Sequence, residues 1–65
     1  MKIKRNETYA DFLKRIRETA KITQQELALR LGVSENSVGG WEKGRNPSFA
    51  SKRAIDEFAK TIKQE

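Results

Sequence analysis

The sequence predicts a small all-α domain of four to five helices, and three observations carry that prediction. Apolar residues recur at helical spacing in successive stretches. No segment alternates with period two for long enough to make a strand. Gly32, Gly44 and Pro47 fall where helices would be punctuated. At 65 residues the chain is a single domain. A domain of that size buries only about 60% of the surface its unfolded form exposes, which supports one core and leaves little room for a catalytic cleft.

Met1 to Asn6 is basic through Lys2, Lys4 and Arg5, and Ile3 is its one apolar residue besides the initiator. Residues 1–7 therefore read as a flexible arm, with a short strand as the alternative, ahead of a domain over 8–65. The first helix starts near Thr8, with Tyr9, Phe12, Leu13, Ile16 and Ala20 as its apolar positions. Thr23 with Glu26 is a capping box for the second helix, which carries Leu27, Ala28 and Leu31 on one face and stops at Gly32. Ser34 caps a third helix running through Val38 and Trp41 to Lys43, with Gly44 as its stop. After the turn Arg45–Asn46–Pro47, Ser48 caps a last helix with the stripe Ile55, Phe58, Ala59 and Ile62. Phe49 is expected to pack at that helix's start. Lys52–Asp56 and Asp56–Lys60 read as i,i+4 surface pairs.

Composition removes whole classes of chemistry. With no Cys and no His, disulfide scaffolds, Cys/His zinc sites, thiol nucleophiles and imidazole bases drop out, and neither a metal nor a cofactor is expected. Asp11, Glu26, Glu35 and Asp56 are scattered, each with a capping or surface explanation, so the chain does not read as an enzyme. No apolar run approaches the roughly 20 residues of a membrane span, and no export signal is visible, so a cytoplasmic location is expected. Fourteen Lys+Arg against nine Asp+Glu leave a formal charge of +5, which points to an anionic partner.

Thr23 to Gly44 places two short helices on either side of Gly32, Val33 and Ser34. Helices joined so tightly cross at about 90 to 120°, which is helix-turn-helix geometry, and the crossing needs a small residue at the contact. Ala28 supplies it, and Leu27, Leu31, Val33, Val38 and Trp41 face the core. Here the chain resembles the Cro/cI-type (Xre) helix-turn-helix family. The matching residues are Thr23-Gln24, Leu27-Ala28, Leu31-Gly32-Val33-Ser34, Val38 and Trp41-Glu42-x-Gly44, then Pro47 and the later apolar stripe, together spanning about residues 9 to 62.

The resemblance implies a lambda-repressor-like fold and binding to double-stranded DNA. It places the third helix in the major groove, with Glu35, Asn36, Gly39 and Gly40 facing bases. Asn36 can pair bidentately with adenine. Glu35 can accept from cytosine, or serve the helix dipole alone. Backbone contacts fall to Arg17, Gln24, Ser37, Lys43, Arg45, Asn46 and Ser48, with Lys2, Lys4 and Arg5 added by the arm. Arg17 is also expected to pair with Glu42, fixing the third helix's orientation.

Gly39 and Gly40 depart from what many members show, each costing about 1 kcal/mol relative to Ala. Either Gly40 avoids the groove floor while Gly39 lets the third helix approach the second, or the helix is pliable and folds fully on DNA.

The functional expectation is a prokaryotic or phage transcriptional repressor, acting as a homodimer through its C-terminal helix on an inverted repeat. Phe58, Ile62 and Leu29 are the candidate apolar contacts. Two alternatives remain: an antitoxin that represses its own operon and binds a cognate toxin, because the Pro47–Phe58 spacing exceeds the commonest repressor pattern, and a protein-interaction module retaining the fold.

Overall fold

The computed structural model describes residues 1–62, which form four helices: α1 (Tyr9–Ala20), α2 (Gln24–Leu31), α3 (Glu35–Glu42) and α4 (Phe49–Lys60). Each begins on a hydroxyl that accepts a backbone N–H otherwise left without a partner. Thr8 accepts from Asp11, Thr23 from Glu26, Ser34 from Ser37 and Ser48 from Ser51. At α2 the capping box is complete, since the Thr23 N–H also donates to Glu26 Oε1 at 2.9 Å.

The first three helices end in the same way. A residue of positive φ follows the last turn, and the next N–H returns to a carbonyl five residues back. The positive-φ residues are Lys21 (58°), Gly32 (73°) and Gly44 (113°). The closing bonds are Ile22 N to Arg17 O at 3.1 Å, Val33 N to Ala28 O at 3.0 Å and Arg45 N to Gly40 O at 3.0 Å. Gly32 and Gly44 are readable as stops in the sequence; Lys21 is not, because a side chain there carries a left-handed penalty.

Nine apolar side chains among the described residues form the core: Phe12, Leu13, Ile16, Leu27, Ala28, Val38, Trp41, Ile55 and Ala59. Helices α2 and α3 pack with Ala28 buried, α1 lies on α3, and α4 lies on α2. Leu31 and Val33 reach the core only at its margin. Phe49 departs from expectation: it is 78% exposed. It precedes Ile55 by six residues, about 240° around the helix, and so starts on a different face.

The charged pairs expected along α4 are also replaced. The Tyr9 hydroxyl donates to Asp56 at 3.3 Å, Lys52 Nζ stands 5.4 Å from the Tyr9 ring centroid, and Lys60 pairs with Glu57 at 3.3 Å. Burial and the Asp56 carboxylate push the Tyr9 phenol above its ordinary value, which keeps it a donor. The aromatic ring draws Lys52 and Asp56 to itself, so neither i,i+4 pair forms.

Residues 1–7 differ from the expected flexible arm. Met1 and Ile3 pack against the core, and the Met1 nitrogen donates to Ala59 O at 3.1 Å and Ile62 O at 3.3 Å, at the end of α4. Arg15 clasps the segment, donating from Nη2 to Lys2 O at 2.7 Å and from Nε and Nη2 to Glu7 at 2.8 Å. The hydrogen bonds from Arg15 outweigh burial and hold the Glu7 carboxyl below its ordinary value. A sparse apolar pair and one arginine therefore dock the segment, leaving the Lys2, Lys4 and Arg5 side chains exposed. Residues 63–65 lie outside the described part of the proposed 8–65 domain.

Replacing Lys21 with glycine removes the left-handed penalty. Lys21→Gly is expected to raise stability by up to about 1 kcal/mol in a urea titration, the greater freedom of glycine in the unfolded chain offsetting part of the gain. A loss of stability would show that the Lys21 side chain contributes more than its backbone costs.

Candidate nucleic-acid interface

Glu42, in the last turn of α3, is only 8% exposed. A buried carboxylate is tolerated only when its charge and lone pairs are answered. Arg17, from α1, answers with both edges of its fork: Nε to Oε2 at 2.7 Å and Nη2 to Oε1 at 2.9 Å. Gln24, the first residue of α2, donates from Nε2 to Oε1 at 3.2 Å. Arg17 Nη1 reaches the Ile22 carbonyl, which lies just past the end of α1, at 3.4 Å. Burial raises the Glu42 carboxyl, but the bonds from Arg17 and Gln24 and the nearby charges of Arg17 and Lys14 outweigh it, so the group is held below its ordinary value. Three helices are thereby joined at one ionised group. The Arg17–Glu42 pair matches the sequence expectation. The part played by Gln24 is not legible in the sequence, because nothing in a spacing of eighteen residues signals contact.

In front of this network, Gln24, Glu35, Asn36, Gly39, Gly40, Lys43 and Arg45 line one open depression of about 390 Å³. All four residues expected to face bases belong to it, together with three of those expected at the DNA backbone. Glu35 and Asn36 are exposed in the first turn of α3. Ser37 is half-buried, its hydroxyl 2.9 Å from Ser34 Oγ. Asn46 and Ser48 are exposed in the turn before α4 but do not line the depression, and Ser48 donates its hydroxyl to Ser51 Oγ at 3.0 Å. Lys2 lies elsewhere, lining a second depression with Met1, Ile3, Asp56 and Lys60.

The paired glycines are not demanded by internal packing. A Cβ at Gly39 would stand 3.7 Å from Gln24 Oε1, and one at Gly40 would stand 3.6 Å from the Arg45 guanidinium. Both are ordinary contacts, so an alanine at Gly39 would still let α3 lie against α2. The helix is nevertheless formed across both glycines, from Glu35 to Glu42.

A helix-turn-helix family model matches residues 13–58, from the core face of α1 to the last turns of α4. The chain belongs to the helix-turn-helix family of Cro/cI (Xre) type. Members of this family are DNA-binding regulatory domains, and this chain is a DNA-binding helix-turn-helix protein. No curated protein and no solved structure matches it. Among the described residues no helix is long and apolar enough to cross a membrane.

The network sets a pH test. Glu42 has a lowered folded value, so its contribution is fully present above the ordinary glutamate value of about 4.3 and is lost as pH falls through the folded value. Arg17→Met strands the buried carboxylate and is expected to cost about 2–4 kcal/mol at pH 7. The gap from wild type should narrow as pH falls below the ordinary glutamate range and close as it passes through the lowered folded value, where the carboxyl is protonated in both proteins. Thermal melts from about pH 7 to about pH 3 check this. A gap independent of pH would assign the loss to packing of the arginine stem.

Proposed function

We propose that the protein is a sequence-specific transcriptional repressor that lays α3 in the major groove of double-stranded DNA. The depression lined by Gln24, Glu35, Asn36, Gly39, Gly40, Lys43 and Arg45 supports this reading most strongly. It gathers base-reading side chains, two glycines that internal packing does not require, and two cations on one surface. Asn36, exposed in the first turn, offers the donor and acceptor that match adenine N7 and N6. Glu35 can take a cytosine amino proton into a hydrogen bond. Gly39 brings backbone rather than side chain to the base edges, and Gly40 leaves the middle of α3 free of a side chain of its own. Lys43, Asn46, Ser37 and Ser48 surround the reading surface and hold phosphates.

Arg17 and Gln24 act at one remove. Both are committed to Glu42, so their first duty is to aim α3, and only donors left over from that network reach phosphate. Dimerisation through α4 follows from need, because one module of this size makes too few contacts for tight specific binding. Phe58 and Ile62 are half-buried against the core, whereas Phe49 on α4 and Leu29 on α2, 76% exposed, offer free apolar surface.

Selection from a random double-stranded DNA library tests the reading. An inverted repeat with half-sites about one helical turn apart is the expected product. Asn36→Ala should relax the preference for adenine at one position at a cost of about 1–3 kcal/mol. Recovery of no motif, with binding abolished at moderate salt, would favour a protein-interaction module.

The basic residues of the first segment are tested separately. Replacing Lys2, Lys4 and Arg5 with glutamine leaves Met1 and Ile3 in their packed positions. The log–log dependence of affinity on salt should flatten by up to about 0.9 for each phosphate that the variant no longer holds. An unchanged slope would leave the segment a structural role only.

A further inference from the structure

The stop at the end of α3 has a consequence for reading DNA. Gly44, at φ 113°, reverses the chain, and the Arg45 N–H closes on the Gly40 carbonyl at 3.0 Å. That bond fixes the start of the Arg45 side chain beside the middle of α3. The guanidinium then lies over Gly40: its Cζ, Nε and Nη1 all fall 3.6 Å from where a Cβ would stand. It has no hydrogen-bond or ion-pair partner among the described residues, and it lines the same depression as Asn36 and Glu35. An arginine that served only phosphate would have no need to sit over the reading helix.

We propose that Arg45 is a base-reading residue, delivered from the loop into the position that a side chain at Gly40 would occupy in an ordinary recognition helix. Its occupant is a guanine. The planar fork matches the O6 and N7 acceptors of guanine in the major groove, a bidentate pairing that no other base edge offers there. Asn36 and Gly40 are four residues apart and share one face of α3, separated by about 6 Å along the axis. The guanine therefore lies within roughly two base pairs of the adenine read by Asn36, at about 3.4 Å per step. Gly40 has a defined part in this: it leaves open the surface on which the guanidinium rests. The neutral charge balance of Thr23 to Asn46, three basic and three acidic residues, is consistent with a segment that selects bases more than it attracts phosphate.

This assignment rests on the reading of α3 as the major-groove helix, and its test separates the two. Wild type and Arg45→Ala are each taken through the same library selection, and the affinities of both for the recovered half-site and its single-base variants are measured against salt. Wild type should recover a guanine within two base pairs of the Asn36 adenine. Arg45→Ala should retain the rest of the motif and lose about 5- to 150-fold discrimination at that guanine alone. Arg45→Gln should move the preference there from guanine to adenine, which glutamine pairs bidentately. If Arg45→Ala weakens every sequence equally and lowers the salt slope by about 0.9, Arg45 is a phosphate contact, and the assignment is overturned while α3 keeps its role. If wild type selects no motif, both are overturned. Circular dichroism melts of the variants should match wild type, since the Arg45 side chain supports no other group.

Discussion

The buried carboxylate of Glu42 is the constraint around which this small domain is arranged. An ionised group held away from water must be answered by donors of matching geometry, or it costs several kcal/mol. In this chain the donors come from two other helices: the fork of Arg17 on α1 and the amide of Gln24 on α2. Apolar contacts alone would let three short helices slide over one another, since dispersion has little directional preference. The bidentate pair does not, because its two bonds at 2.7 and 2.9 Å permit one orientation of α3. The orientation of α3 and of the depression it lines is therefore tied to the same group that joins the helices.

The helix ends form a second layer of the same logic. α1, α2 and α3 each stop at a positive-φ residue followed by a backbone bond that returns the chain. After α2 that return gives the tight turn that sets α3 across it. After α3 it places Arg45 over Gly40, so one local stop decides which side chain lies over the middle of that helix. After α1 it turns the chain so that the Ile22 carbonyl meets Arg17. Local backbone chemistry and the ionic network thus converge on the surface made by α3.

Electrostatic capacity is not concentrated where total charge would suggest. Much of the excess positive charge resides in Met1 to Ile22, with seven basic and three acidic residues, while the segment containing α2 and α3 is balanced. The structure further commits two of those basic residues internally, Arg15 to Glu7 and Arg17 to Glu42. The cations that line the depression are Lys43 and Arg45, from the balanced segment. Net charge is a guide to the class of partner, and the positions of a few cations matter more for how it is held.

The four helices, their caps, the tight turn and most of the core are legible in the sequence, because each rests on local rules: hydroxyls before a helix, glycine after it, apolar residues at helical spacing. The Arg17–Glu42 pair is legible only through the family pattern. The exposed face of Phe49 follows from the same angular arithmetic that places Ile55 and Ala59 in the core; nearness to the apolar stripe along the chain does not make a shared face. Other features depend on distant partners and are decided only by the tertiary structure. The docking of residues 1–7 needs the end of α4 and Arg15. The bond from Gln24 to Glu42 needs α2 and α3 to cross at one angle. Lys21 takes a left-handed conformation that its own propensity opposes, because closing α1 on Arg17 outweighs it. Propensity and periodicity act within a few residues, whereas charge burial and chain reversal are settled only when separate segments meet.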